Sequence, residues 1–174
     1  NDAIIVDVGM SFPDENMPGV VILVPDFSYI RKIKDKVRAV LITHAHEDHI
    51  GAMPYFFKEF QFPIYATPLP LGMISNKFEE HGLKAHRSYF RPIQKRKIYE
   101  IGEFEVEFIH ITHSVIDASA LAIKTKAGVI IHTGDFKLDP TPIDGYATDL
   151  HRLAHYGEEG VLLLMSDSTN SWRD

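Results

Sequence analysis

Short apolar, β-branched runs alternate along this chain with stretches of helical periodicity. Such alternation is typical of α/β proteins, in which helices pack against a sheet. The pattern predicts more strands than helices: Ala3–Val8, Val20–Val24, Val37–Thr43, Ile64–Ala66, Phe104–Ile111, Ala118–Thr125, Val129–Thr133 and Val161–Ser166. The predicted helices are Ala52–Phe60, Leu69–His81 and Asp149–Tyr156, the last with Asp149 as its N-cap.

Two local patterns refine this α/β arrangement. Val161–Met165 is apolar at every position, as is most of Val129–Ile131, which predicts strands covered on both faces. The Gly102-Glu103 pair separates Lys97–Ile101 from Phe104–Ile111, and this spacing predicts a β-hairpin. We therefore expect layers of structure above and below a sheet that contains antiparallel pairs.

The composition excludes several classes of protein. The chain has 174 residues with 45% hydrophobic content, enough for one domain with a buried core. Its net charge of −6 argues against a broadly basic nucleic-acid-binding surface, so an anionic substrate must be held locally. The absence of cysteine excludes disulfides, thiolate zinc sites, iron–sulfur centres and a cysteine nucleophile. No apolar run approaches the ~18 residues of a membrane span, and we expect a soluble, cytoplasmic protein without a membrane partner.

The segment Thr43–His49 places four potential metal ligands directly after the apolar run Val37–Ile42. The four are His44, His46, Asp48 and His49. Backbone leaving a strand is irregular, so two histidines can converge on one ion while the other pair faces a second ion about 3.5–4 Å away. The alternative is a polar surface loop rich in histidine. Such a loop would place four costly polar groups between a buried strand and an apolar helix, and metal binding would compensate that cost.

Three further polar residues each follow a predicted strand. His113 follows Phe104–Ile111, Asp135 follows Val129–Thr133, and Asp7 lies in Val6-Asp7-Val8-Gly9. If their strands lie side by side, these loops open at one edge of the sheet, where α/β proteins place their sites. One imidazole would then complete a three-histidine set, one carboxylate could bridge two ions, and Asp7 could orient a ligand histidine. Taken singly, His113 is more often a structural histidine and Asp135 a turn former, but the neighbouring histidine cluster reverses this preference. The alternative for Asp7 is a plain turn aspartate.

These motifs, in this order, resemble those of the metallo-β-lactamase superfamily. The superfamily has a strand-terminal Asp, a His-x-His-x-Asp-His motif, a lone His and a bridging Asp, which correspond to the seven residues named above. The chain is more specifically similar to the catalytic core of the bacterial ribonuclease J family, in the β-CASP branch. The similar segments are Thr43–Ala52, Thr112–Ser114, His132–Lys137 and Ser166–Asn170, together with Glu47 and the Val24–Asp26 segment followed by Ser28 and Tyr29.

The resemblance implies that residues 1–174 form part of a metallo-β-lactamase-like domain, an αβ/βα sandwich. Members of the family have an N-terminal strand pair before the position of Ala3. They insert a β-CASP domain after a position equivalent to about residue 168, and then return to complete the lactamase-like half. We therefore expect both ends of this sequence to continue in a longer protein, and the isolated segment to be inactive.

The resemblance also implies a metal-dependent ribonuclease that cleaves RNA internally or from its 5′ end. His44, His46 and His113 are assigned to one divalent ion, Asp48 and His49 to a second, and Asp135 to a position between them. Asp48, His49 and Asp135 are the expected catalytic residues, with Asp48 orienting the attacking water. Two such ions lower the pKa of a bound water from 15.7 towards about 7 and so supply hydroxide at neutral pH. Imidazole-rich ligation favours Zn²⁺, and the oxygen ligands also suit Mn²⁺.

Other interpretations remain open at this point. A lactamase-fold hydrolase of small thioesters or lactams would share the metal loop, and a catalytically silent metal-binding or assembly module would share the fold. For the full-length protein we expect an RNA substrate, self-association into a homo-oligomer, and association with other ribonucleases or the ribosome. No residue is assigned to RNA binding, because the basic cluster is equally a solvated edge: Arg87, Arg91, Lys95, Arg96 and Lys97. His110 and His132 are expected to be hydrogen-bonded structural histidines.

Overall fold

The structure is a computed structural model that describes residues 1–84, 86–169 and 171. The chain divides into two compact units, Asn1–Ile93 and Gln94–Asp174, each built around one sheet. The first unit contains β1 (Ala3–Val6), α1 (Ser28–Ile33), a 3₁₀ helix (Lys34–Lys36), β2 (Val37–Leu41), α2 (Glu47–Ile50), α3 (Met53–Glu59), β3 (Ile64–Ala66), α4 (Pro68–Glu80), a second 3₁₀ helix (His86–Tyr89) and β4 (Phe90–Pro92). The second contains β5 (Ile98–Ile101), β6 (Phe104–His110), β7 (Ser119–Thr125), β8 (Gly128–His132), α5 (Leu150–Glu159) and β9 (Val161–Met165).

The sheet of the first unit is parallel, in the order β1-β2-β3-β4. Parallel neighbours need long crossover connections, which explains why helices separate these strands in sequence. Val6 pairs with Leu41, so β1 and β2 end side by side. The residues that follow the two strands, Asp7 and Ile42, therefore leave the sheet at the same edge.

Aromatic side chains at helical spacing contribute to the core of the first unit. Phe56, Phe57 and Phe60 are buried, and the rings of Phe57 on α3 and Phe78 on α4 lie 4.6 Å apart. Tyr55, on the same helix, is only half-buried. Stacked and tilted aromatic pairs of this kind hold helices in place beyond the burial of their area.

The sheet of the second unit is mostly antiparallel, in the order β5-β6-β7-β8-β9. The predicted hairpin is confirmed, with Ile101 paired to Phe104 and Gly102 at φ 59° in the turn. α5 connects β8 to the parallel strand β9, and Asp149 caps this helix by accepting a hydrogen bond from the Arg152 N–H. The predicted N-cap is therefore confirmed.

α5 is joined to β6 by a buried polar cluster. Glu107 is buried and accepts hydrogen bonds from the Arg152 guanidinium and from the Tyr156 hydroxyl, each at 2.7 Å. Burial acts to raise the pKa of Glu107, but these two donors outweigh it and leave the pKa below its usual value. Burial and the hydrogen bond to Glu107 raise the pKa of Tyr156 to about 12. The carboxylate is thus ionised and fully engaged in the folded protein.

The structure corrects three predictions about strands. Val20–Val24 is not a strand, since only Leu23 forms a bridge, to Ser11. Its valines have β-propensity but no apolar partner, and Val21 is 79% exposed. The sequence analysis also missed β4, an edge strand in which Pro92 is tolerated.

The third correction concerns β9. The strand Val161–Met165 forms as predicted, but its residues are exposed, with Leu162 and Leu164 each 61% accessible. β9 is the outer strand of its sheet and pairs with β8 alone, and the described residues do not cover its two faces. The apolar run therefore predicted the strand correctly, but the prediction that both of its faces are buried was wrong.

Candidate metal centre

Two histidines meet immediately after β2. Leu41 and Ile42 are fully buried and carry the chain to His44, whose side chain is also fully buried. The Nε2 atom of His44 lies 3.0 Å from the Nδ1 atom of His46, and the ring planes are nearly perpendicular. An imidazole so deeply buried needs partners for both of its nitrogens.

Hydrogen bonding assigns the tautomer of His44. The Thr43 hydroxyl lies 2.7 Å from Oδ2 of Asp7, and a carboxylate can only accept, so the hydroxyl donates to it. The Thr43 oxygen must then accept from Nδ1–H of His44, 2.9 Å away. Nε2 of His44 is therefore the unprotonated nitrogen, and its lone pair is directed towards His46.

Asp7 assigns the tautomer of His49 in the same way. Oδ2 of Asp7 lies 2.7 Å from Nδ1 of His49, so this nitrogen donates its proton to the carboxylate and Nε2 is the nitrogen left for a metal. The other oxygen of Asp7 accepts from the Thr43 backbone N–H at 2.8 Å. One carboxylate thus fixes two ring orientations, that of His49 directly and that of His44 through Thr43.

His46, Asp48 and His49 are positioned by α2, a single helical turn. His46 is the N-cap of this turn, and ring nitrogens of His44 lie within 4.8 Å of those of His46 and His49. The side chain of Asp48 is 66% exposed, and its Oδ2 lies 3.6 Å from Nε2 of His49. The three histidines are therefore close together, and Asp48 lies at their exposed side.

The backbone after β1 holds the metal-binding loop in place. Val8 N–H donates to the His49 carbonyl at 2.8 Å, and Met10 N–H donates to the Glu47 carbonyl at 3.1 Å. Gly9 lies between these bonds, where a Cβ atom would come within 1.6 Å of the Asp48 carbonyl oxygen. Only glycine permits the two segments to approach this closely.

An ion pair fixes the loop from its other side. The ammonium of Lys77, on α4, lies 2.6 and 2.8 Å from the two carboxylate oxygens of Glu47. Sequence reasoning named Thr43 and Glu47 only as parts of a motif, gave neither a structural role, and did not mention Lys77. The position of Thr43 between a buried strand and the histidines was the available signal, whereas a lysine thirty residues away gave none.

His113 and Asp135 lie together in the second unit. His113 follows β6 and Asp135 follows β8, after Gly134 at φ 58°. The Nε2 atom of His113 lies 4.0 Å from Oδ2 of Asp135. Two predicted ligands separated by 22 residues are thus brought to one edge of this sheet.

The two other histidines singled out in this unit are structural, as predicted. His110 lies 2.7 Å from the Lys95 ammonium through Nδ1 and 2.8 Å from the Tyr146 carbonyl through Nε2. His132 accepts from the Gly134 N–H at 3.1 Å. Within the basic cluster, Arg96 is paired with the carboxylate of Asp149.

The donor set fits divalent metal ions. Imidazole nitrogens and carboxylate oxygens are ligands that zinc accepts at distances of about 2.0–2.2 Å. The hydrogen bonds of Asp7 and Thr43 engage Nδ1 of His49 and of His44, so Nε2 of each ring is the nitrogen that a metal would take. The site therefore contains both the ligand types and the supporting hydrogen bonds of a metal centre.

Comparison with known proteins agrees with this chemistry. The family model of the metallo-β-lactamase superfamily matches residues 1–168. The chain belongs to the metallo-β-lactamase superfamily. The matched residues include its His-x-His-x-Asp-His motif at positions 44–49, and also His113 and Asp135.

Relatives within the superfamily are ribonucleases J. The chain is 68% identical over 169 residues to ribonuclease J of Helicobacter pylori strain 26695, covering 97% of this chain and 24% of that protein. It is 43% identical over 173 residues to ribonuclease J of Synechocystis sp. PCC 6803, covering 98% and 27%. The corresponding protein of Thermus thermophilus is 42% identical over 179 residues, with 99% and 31% covered. The chain thus spans about a quarter to a third of the length of these relatives.

Solved structures are similar to the chain at lower sequence identity. A protein of unknown function from Enterococcus faecalis V583 matches with a TM-score of 0.63 and 23% identity, covering 93% of this chain and 43% of that one. A metallo-β-lactamase with a HARLDQ motif from Cronobacter sakazakii matches with a TM-score of 0.54 and 16% identity, covering 94% and 66%. These likenesses confirm the predicted fold. No helix among the described residues is long and apolar enough to cross a membrane.

Proposed function

We propose that this chain is the metal-binding part of a ribonuclease that hydrolyses RNA phosphodiesters, cleaving internally, from the 5′ end, or both. The observation that carries the proposal is the pair of histidines with assigned tautomers, His44 and His49, beside His46. Identity of 68% to a ribonuclease J over nearly the whole chain supports RNA as the substrate class.

The order of motifs in the superfamily supports a two-ion assignment. His44, His46 and His113 would hold one divalent ion, Asp48 and His49 would hold a second, and Asp135 would lie between them. Asp7 orients His49 from behind. We propose Zn²⁺ as the native ion because the set is rich in imidazole, with Mn²⁺ as the alternative that the carboxylates would accept.

Each residue of this set has a distinct task. When bound, the two ions act as Lewis acids that lower the pKa of a coordinated water and offset charge that develops on the phosphoryl oxygens. Asp48, the exposed carboxylate, orients the attacking water and accepts its proton. Asp7 and Thr43 keep the imidazoles from rotating, so that their unprotonated nitrogens stay directed at the centre.

The longer protein completes the function. We propose that residues 1–174 are one part of a metallo-β-lactamase-like domain and that a β-CASP insertion begins after about residue 168. Ser166 and Asp167 of the similar Ser166–Asn170 segment follow β9, whereas Asn170 lies outside the described residues. We further propose that the full-length protein acts in the cytoplasm as a homo-oligomer and associates with other ribonucleases or the ribosome.

The substrate class is tested with the full-length protein. We expect it to degrade 5′-monophosphorylated single-stranded RNA and to leave a panel of thioesters and lactams intact. The reverse result would overturn the ribonuclease proposal in favour of a small-molecule hydrolase. A protein that holds its metal but cleaves neither substrate would instead be a silent module.

A further inference from the structure

We propose that Thr112 and Thr148 form a latch that sets His113 and Asp135 at the correct separation for metal binding. Thr112 directly precedes His113, and its side chain is buried where three segments of the second unit meet. The inference rests on the proposed function, since the latch matters for activity only if these two residues bind a metal.

The hydrogen bonds of the latch form a closed set. The Thr112 hydroxyl donates to the carbonyl of Lys137, while Thr112 N–H donates to Oγ1 of Thr148 at 3.0 Å. Because the Thr112 proton is used in this way, the Thr148 hydroxyl donates to Oγ1 of Thr112, 2.9 Å away. Lys137 N–H donates to the Thr112 carbonyl at 2.9 Å.

These bonds join the segments that carry the two ligands. Thr112 and Lys137 form an isolated antiparallel bridge, and Lys137 is two residues beyond Asp135. In an ordinary antiparallel pair the two backbones exchange both N–H···O bonds. Here a side-chain hydroxyl supplies the bond to Lys137, and the Thr112 N–H is directed to Thr148 instead. The geometry of the bridge therefore depends on a hydroxyl at position 112.

Thr148 fixes this bridge to α5. The next residue, Asp149, is the N-cap of the helix, and its N–H donates to the His110 carbonyl at 2.9 Å. The position of the His113 loop therefore depends, through Thr112 and Thr148, on where α5 packs. Outer groups that orient metal ligands typically contribute 10–100-fold in metal affinity.

Thr112→Val tests the latch because valine keeps the shape of threonine and removes the hydroxyl. In the full-length protein we expect the affinity for Zn²⁺, measured by competition with a chromophoric chelator, to fall by about 10-fold or more. Thr112→Ser retains the hydroxyl and should restore most of the affinity. If Thr112→Val does not fold, Thr148→Val removes the bonds that fix Thr112 to the start of α5 and leaves the Thr112–Lys137 bond in place, so we expect a loss of Zn²⁺ affinity in the same direction.

Thr125→Val is the matched control. Its hydroxyl also donates to a backbone carbonyl, that of Gly128, but it lies at the opposite end of β7 from the His113 loop. We expect this variant to lower the melting temperature while leaving Zn²⁺ affinity unchanged. An equal loss of affinity in Thr125→Val, or wild-type affinity in folded Thr112→Val, would overturn the latch. A wild-type protein that binds neither Zn²⁺ nor Mn²⁺ would overturn the proposed function and the latch together.

Discussion

The geometry of the candidate centre depends on a few single residues that are not themselves ligands. Asp7 leaves β1 at φ 58°, an uncommon conformation for a residue other than glycine. In this position its carboxylate reaches both the Thr43 backbone and the His49 ring. A residue that contacts no substrate thus decides which nitrogen of His49 is available to a metal.

Asp7→Asn tests this role. The amide keeps one acceptor oxygen where the carboxylate has two, so it cannot accept from both the Thr43 backbone N–H and the His49 ring as Asp7 does. We expect metal affinity to fall by about 10–100-fold with little change in secondary structure. Chelator competition and circular dichroism measure the two effects. Asp14→Asn, which changes an exposed aspartate that bonds only within its own turn, is the control.

Gly9→Ala tests the close approach of two backbones. The new methyl group would overlap the Asp48 carbonyl, so Asp48 and His49 must move or the protein must unfold. We expect loss of metal binding and a lowered melting temperature. Gly72→Ala, within α4, places its methyl group in open space and should instead stabilise the helix by about 0.5–1 kcal/mol. Equal effects of the two substitutions would contradict the steric argument.

At the residue scale, the sequence predicts which residues are candidate metal ligands but not which neighbouring residues orient them. His44, His46 and His49 could be found because histidines rarely cluster after an apolar strand. The roles of Thr43 and Lys77 depend on distances across the fold, which a linear pattern does not contain. For Asp7, the sequence showed that the residue follows a strand, but it did not show that the carboxylate bonds to Thr43 and His49.

At the scale of elements, the docking of α5 on β6 depends on an ionised carboxylate. The pKa of Glu107 is lowered in the folded protein, so Glu107 stabilises the fold above its unfolded pKa of about 4.3. This stabilisation is lost as the pH falls through the lower folded value. The helix should therefore loosen in acid.

Glu107→Gln tests this dependence. At pH 7 we expect a loss of about 2 kcal/mol in the free energy of unfolding, because the buried end of Arg152 loses its charged partner. The difference from wild type should shrink as the pH falls below 4. Urea denaturation at several pH values provides the measurement. Glu105→Gln removes an exposed partner of Lys124 on the same strand and should cost no more than about 0.5 kcal/mol at any pH.

Most elements could be predicted from periodicity, and the errors have physical causes. Alternating and apolar runs located β2, β6, β7 and β8, because their side chains do enter a core. The strand predicted at Val20–Val24 was wrong, because residues with high β-propensity do not form a strand without a partner strand. The predicted burial of β9 was wrong, because the sequence of a strand does not reveal which other elements pack on its faces.

At the scale of the whole molecule, the chain spans about a quarter of the length of the ribonuclease J that it matches at 68% identity, so the proposed activity is tested in the full-length protein. Double replacement of His46 and His49 by alanine should abolish both metal retention and RNA cleavage in that protein. His155→Ala, which alters an exposed histidine paired with Glu159 on α5, should leave both unchanged. Undiminished cleavage by the double variant would contradict the assignment of the centre.

The central claim is that divalent ions bind among these histidines and aspartates. Crystals of the full-length protein, measured at the absorption edges of zinc and manganese, test it most directly. We expect two anomalous peaks, one bonded to His44 and His46 and the other to His49. Crystals grown with added metal that show no peak at these side chains, or peaks only elsewhere, would contradict the account.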